Sequence, residues 1–201
     1  GGYIVLSAHA LASLQGSVVK NSGQLSASSL STKGGKIVLM GDSIALTGTS
    51  RIEASGATGG GTVLVGGDWQ GSGDTRQATQ VTMAQGASIE ANATQQGDGG
   101  KVVLWSDIHN PNGVTQVKGR IWAKGGDVGG NGGAIETSGH VLTINDLKVS
   151  TAAPRGKMGQ WLLDPYDVTI SSASTSNINT VTGGYQASGN SSVLNISTLN
   201  A

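Results

Sequence analysis

The residues of this chain that could do chemistry are few, and their spacing suits little of it. Hydrolysis or elimination on a polysaccharide needs a convergent pair of carboxylates, or a carboxylate cluster binding calcium beside a base. The three glutamates are Glu53, Glu90 and Glu136. Glu53 and Glu90 hold the same place in two Ile-Glu-Ala copies, which reads as a repeated exterior position, and Trp122 takes that place in the third copy, Ile121-Trp122-Ala123. A catalytic acid has no reason to recur in this way. His9, His109 and His140 stand apart without a second ligand at metal-like spacing, and the absence of cysteine excludes disulfides and thiolate metal sites. No Gly-x-Ser-x-Gly elbow leads into a helical pattern, and the chance Gly-x-Gly matches lack a following helix. No catalytic residue, metal or cofactor is therefore assigned. The chain reads as non-enzymatic, with a polysaccharide-active enzyme as the alternative.

Binding is a richer prospect. Trp69, Trp105, Trp122 and Trp161 are four of only seven aromatic residues. Aromatic faces beside amides and charges suit sugar rings, and outward-facing Trp105 and Trp122 would form such a platform. The plainer use of Trp105 is to cover Gly66 in a neighbouring repeat. Residues 68–80 form the longest insertion, with a Gly71-Ser72-Gly73 tip. Trp69, Asp74 and Arg76 make that insertion a candidate contact loop, because loops on a rigid scaffold carry recognition. Asp42, Asp68 and Asp107 each fall five residues after the first inward residue of their repeats. Asx-turns at stacked corners account for them, and a calcium ladder is the sharper alternative. The glycine-rich nonapeptide that builds repeat calcium sites does not recur, and residues 125–133 brush against it once.

The elements that position these residues follow from a repeat. Glycine pairs lead short apolar runs at Gly1-Gly2-Tyr3-Ile4-Val5-Leu6, Gly34-Gly35-Lys36-Ile37-Val38-Leu39, Gly60-Gly61-Thr62-Val63-Leu64-Val65 and Gly99-Gly100-Lys101-Val102-Val103-Leu104. Weaker copies start at Gly132 and Gly159, so the starts lie 33, 26, 39, 33 and 27 residues apart. Within the shortest unit, strand-like pieces at 36–40, 43–47 and 50–54 are separated by Gly or Asp, and no run of helical period fits between the glycines. This predicts an all-β parallel β-helix of six or seven three-sided coils, advancing about 4.8 Å per coil. Stacked coils satisfy each other's backbone and need only a narrow aliphatic core, which explains 34 glycines and no phenylalanine.

Alternation orients the first strand of each coil. Lys36 faces water, so Ile37 and Leu39 point inward, and alignment places Ile4, Ile37, Val63, Val102 and Ile135 in one interior ladder. Val5, Val38, Leu64 and Val103 then form an apolar outward stripe. An insertion folding back over it is the plain reading, with residues 68–80 the best cover, and a lateral contact stripe for self-association is the other. Coils are expected over residues 1–170, followed by a polar connection and the start of a next coil or module over 171–201.

Twelve basic and twelve acidic residues cancel and are dispersed, which argues against nucleic-acid or anionic-membrane binding by charge. No apolar run reaches 18 residues, so no membrane insertion is expected, and the lack of a leader suggests a piece of a longer chain.

Residues 99–107, Gly119-Arg120-Ile121-Trp122-Ala123-Lys124-Gly125-Gly126, residues 129–139, Trp161-Leu162-Leu163-Asp164-Pro165 and Val168-Thr169-Ile170 occur in an order and spacing with a precedent. Taken together, this half of the chain resembles the filamentous-haemagglutinin-like exoproteins of two-partner secretion, large bacterial adhesins. The resemblance implies a right-handed β-helical shaft segment, export through an outer-membrane secretion pore, and a secreted or cell-surface location on a Gram-negative bacterium. It also implies roles in adhesion, biofilm or contact-dependent competition, with a host or matrix glycan or protein as the unidentified partner. It carries over no catalytic residue. Ala134 departs from the family's frequent aromatic and leaves a small gap to be filled locally. Asn110-Pro111-Asn112-Gly113 echoes a signal of the family's secretion domain but reads here as turn chemistry.

Overall fold

Parallel strands with one side buried must alternate, and this chain does so unit after unit. A computed structural model describes residues 1–9 and 16–165, together with the backbone of strands Val168–Ser171, Ile178–Val181, Gly184–Ala187 and Ser192–Asn195. The first sheet has six parallel strands: Tyr3–Ser7, Lys36–Met40, Thr62–Val65, Lys101–Trp105, Ala134–Gly139 and Gln160–Pro165, each paired with its counterparts in the units before and after. The pairing places Ile4, Ile37, Val63, Val102 and Ile135 in a single register, as the alternation predicts. The last four of these are fully buried.

The second sheet stacks Val18–Asn21, Ser43–Leu46, Gln80–Met83, Val114–Trp122 and Val141–Ser150 in parallel. The short strands Gln24–Ser26, Arg51–Glu53 and Ser88–Glu90 form a second row, which joins Val114–Trp122 at its far end. Early units separate the two rows by a turn. In the later ones the turn is lost and both rows become one strand of nine or ten residues. Gly119 makes this possible: it sits at φ 84, and a Cβ there would lie 2.4 Å from the Ala87 carbonyl oxygen.

The main core is an aliphatic column that includes Ile37, Leu39, Ile44, Ile52, Val63, Val81, Ile89, Val102, Leu104, Val117, Ile121 and Ile135. Burying each such side chain stabilises the fold by about 1.5–3 kcal/mol relative to leaving it in water. The arrangement is all-β and β-helix-like, and the single 3-10 turn at Trp69–Gly71 is the one helical element among the described residues. Gly184–Ala187 pairs antiparallel with Thr143–Asn145 and with Ile178–Val181. Val168–Ser171 pairs in parallel with Ser192–Asn195, and the rest of the expected 171–201 connection lies outside the described residues.

Candidate functional site

The outward positions of the first sheet do not face water. Val38, Leu64 and Val103 are 2%, 0% and 0% exposed and form a second apolar cluster with Trp105, against which Met40, Trp69 and Ile108 pack. Residues 68–80 act as a strap over this cluster. Asp68 starts it, accepting from the Trp69 N–H at 2.7 Å and pairing with Lys101 Nζ at 2.7 Å. Gln70 adopts φ 52, ψ 35, which is strained for a residue with a side chain, and its N–H donates to Glu136 Oε2 at 2.9 Å. Trp105 Nε1 donates to Gln77 Oε1 at 3.0 Å, and Arg76 ion-pairs with Asp42.

Several expectations are corrected by this geometry. Of the two readings of the Val5, Val38, Leu64 and Val103 stripe, the folded-back cover holds and the lateral contact surface does not, because the strap removes three of the four members from water and only Val5, at 40%, is exposed. Trp105 is likewise unavailable as a sugar platform: it is 1% exposed, with its one donor already used. It covers Gly67 and Gly71 rather than Gly66, and a Cβ at Gly67 would lie 2.5 Å from its ring. Within the strap, Trp69 is half-buried and the exposed guanidinium of Arg76 is bound to Asp42, whereas Asp74 projects into solvent. The gap beside Ala134 is not filled by a neighbour. It opens into a polar groove of about 470 Å³ shared with Lys33, Asp98, Met158 and Gln160.

Glu136 is the residue that sequence reasoning missed. It follows Val103 in the outward column and is fully buried. Oε2 accepts from Gln70, and Oε1 accepts from Ser138 Oγ at 2.9 Å. Burial pushes its carboxyl above the usual range despite these bonds, and the charges of Asp164 and Asp68 add to the shift. Burial raises Asp164 as well, against the lowering influence of His109. The signal was present in the alignment: a carboxylate in a column of valines and a leucine requires donors from whatever covers that column.

The corner aspartates are used by hydrogen bonds. Asp107 accepts from the His109 N–H at 2.9 Å, the expected Asx-turn. Asp42 instead bridges units, accepting from Ser17 N–H at 2.7 Å and Ser17 Oγ at 3.0 Å. The Ser17 backbone bond, with help from Arg76, holds its carboxyl below the ordinary value. Burial tends to raise Asp68, but Lys101 and the Trp69 N–H outweigh it and the net direction is down. Among the described residues no three His, Cys, Asp or Glu side chains group closely enough to hold a metal ion. Asn110 closes a tight turn, its Oδ1 accepting from Asn112 N–H at 3.0 Å and its carbonyl from Gly113 N–H at 2.7 Å.

The second row of the other sheet keeps its outward side chains exposed or half-buried among the described residues, with Glu90, at 9%, the buried exception. Here Glu53, Glu90 and Trp122 occupy one register, as the Ile-Glu-Ala copies predict. Glu90 accepts from Arg120 at 3.0 Å and from Asn92 at 3.2 Å, and Arg51 lies 3.3 Å from Glu53 and 3.8 Å from Glu90. Over the Trp122 ring sit the Arg120 guanidinium, 4.3 Å from its centroid, and Lys124 Nζ, at 3.8 Å. The ring is therefore a seat for two cations, not a bare platform for a sugar.

No protein-family model matches the chain, and no curated protein matches it. Among solved structures it is similar to the HMW1 secretion domain from Haemophilus influenzae, with a TM-score of 0.56 and 27% sequence identity over 80% of this chain and 42% of that one. The chain thus spans less than half the length of the domain it resembles. No helix among the described residues is long and apolar enough to cross a membrane.

Proposed function

We propose that the chain is a structural and adhesive segment of a large secreted bacterial surface protein, its units closing into a right-handed parallel β-helix that projects a binding region from the cell. The observation that carries this reading is the likeness to a secretion domain, over four-fifths of the chain, of a stack whose strands pair in register unit upon unit. The filamentous-haemagglutinin-like motifs of residues 99–170 support export through an outer-membrane pore, and with it a surface location on a Gram-negative cell. The open charged face, rather than the strapped one, is the part suited to contact with a host or matrix partner. Catalysis is not part of this function: Glu136 is enclosed, and Glu53 and Glu90 are paired with arginines.

The test is export of the parent protein, followed with an antibody raised against this chain. Deleting the partner pore is expected to remove the signal from intact cells and from the medium, and an unchanged surface signal would overturn the reading. Incubation of the purified chain with a panel of polysaccharides is expected to release no new reducing ends.

A further inference from the structure

The outward face of the second sheet changes character along the stack. One column runs Gln24, Arg51, Ser88, Arg120 and Lys148, and the column beside it runs Ser26, Glu53, Glu90, Trp122 and Ser150. In the earlier units each cation has a carboxylate beside it. In the later units the acidic column turns to tryptophan and serine while the basic column continues. Glu53 and Glu90 are taken by Arg51 and Arg120, and among the described residues neither the exposed Lys148 nor the Trp122-seated Lys124 forms an ion pair. Arg120 and Lys148 are directly paired on neighbouring strands, an arrangement in which like charges repel. The buried Nε of Arg120 also has no hydrogen-bond partner among the described residues.

We propose that Arg120, Lys124 and Lys148, positioned by Trp122, form a binding surface for a linear polysaccharide bearing carboxylate or sulfate groups. The proposal rests on the adhesive reading above and names the ligand chemistry of that face. Arg120 and Lys148 lie on neighbouring strands, about one strand spacing or roughly 4.8 Å apart along the stack, and Lys124 shares the Trp122 ring with Arg120 just past the end of its strand, so the three present a compact cationic cluster. An anionic polymer laid across that cluster relieves the Arg120–Lys148 repulsion. The other positions of the two columns are Gln24, Arg51, serines and paired glutamates, which offer hydrogen bonds and charge rather than apolar contact for a peptide side chain. Trp122 contributes by holding two of the cations over its ring rather than by stacking on sugar.

The experiment measures binding of the whole purified chain to heparin as the sulfate polymer, polygalacturonate as the carboxylate polymer, uncharged dextran, and a short DNA duplex. At low salt the chain is expected to bind at least one of the two acidic glycans and not dextran, with affinity falling as salt rises. Lys124→Gln with Lys148→Gln, both on exposed or half-exposed side chains, should weaken binding roughly tenfold. Lys33→Gln with Lys157→Gln, which removes two exposed lysines elsewhere, should leave it unchanged. Trp122→Leu should also weaken binding without altering the thermal unfolding of the chain by more than a few degrees. The proposal is overturned if neither acidic glycan binds, if dextran binds as well, if both lysine pairs lose affinity equally, or if DNA binds more tightly than the glycans. Such a failure leaves the export test untouched, because that test reads only where the parent protein is found.

Discussion

Two outward faces of the same stack obey the same alternation yet meet water differently. On the first sheet the outward column is Val38, Leu64, Val103 and then Glu136, and residues 68–80 cover it. On the second row of the other sheet the outward columns carry Arg51, Glu53, Glu90 and Arg120, and among the described residues no apolar layer packs over them. Alternation sets which side chains leave the main core but not whether they reach solvent. An apolar column recruits a second layer, and a column of matched charges stands alone. Stability should accordingly be concentrated under the strap and recognition on the bare face.

Trp105→Ala tests the covered side most severely. The ring is fully enclosed, fills the space over Gly67 and Gly71, and donates to Gln77, so its removal should cost about 3–5 kcal/mol. Denaturant unfolding would show the loss, and a change below about 1 kcal/mol would mean that the strap does not pack as described.

Next in size is the response to pH, where the carboxylates pull in opposite directions. Glu136 and Asp164 have folded-state pKa values raised by burial, so their ionised forms oppose folding at neutral pH and the opposition is relieved as pH falls through those raised values. Asp42 and Asp68 are lowered, so their contribution is full above 3.8 and is lost as pH falls through their folded values. The urea midpoint should therefore rise on mild acidification and drop below about pH 3.8. Glu136→Gln should be more resistant than the wild type at pH 7, with the difference closing near 4.5, the ordinary value for a glutamate. A midpoint for Glu136→Gln that parallels the wild type at every pH would mean that Glu136 is not enclosed. Asp42→Asn ranks below this, at about 1–2 kcal/mol for its bonds to Ser17 and Arg76, and that loss should vanish in strong acid.

How much of this was readable in advance follows from the range of the interactions. The interior ladder was legible because Lys36 and Lys101 mark the outside and the side-chain period of a strand is two, so Ile37 and Val102 could only face in. The Glu53 and Glu90 equivalence was legible because a repeat preserves register. The burial of Val38, Leu64 and Val103 was legible only in part: an apolar outward column calls for a cover, but where an insertion folds is recorded by no local pattern. The sequence identified the 68–80 insertion as a cover but also offered it as a contact loop, and its bonds to Asp42, Glu136, Lys101 and Trp105 favour the first use. Glu136 was overlooked for the same reason, because a buried carboxylate is recognised by its donors, and one of them lies 66 residues away in the chain.

The smallest expected effect bears most directly on the uncovered face. Arg51 and Glu53 form an ion pair at 3.3 Å with side chains 44% and 24% exposed, and water and salt screen it. Glu53→Gln should change stability by no more than about 0.5 kcal/mol, an order below Trp105→Ala, and the difference should fade with added salt. Yet the same substitution frees Arg51 from its nearest carboxylate, leaving it only Glu90 at 3.8 Å, and so adds a less-matched cation two units before Arg120 in the same column, across Ser88. If the bare face exists for recognition, Glu53→Gln should strengthen binding to an acidic glycan while leaving unfolding almost untouched. A measurable loss of stability with no change in binding would instead make that charge network a structural device like the strap, and the contrast between the two faces would disappear.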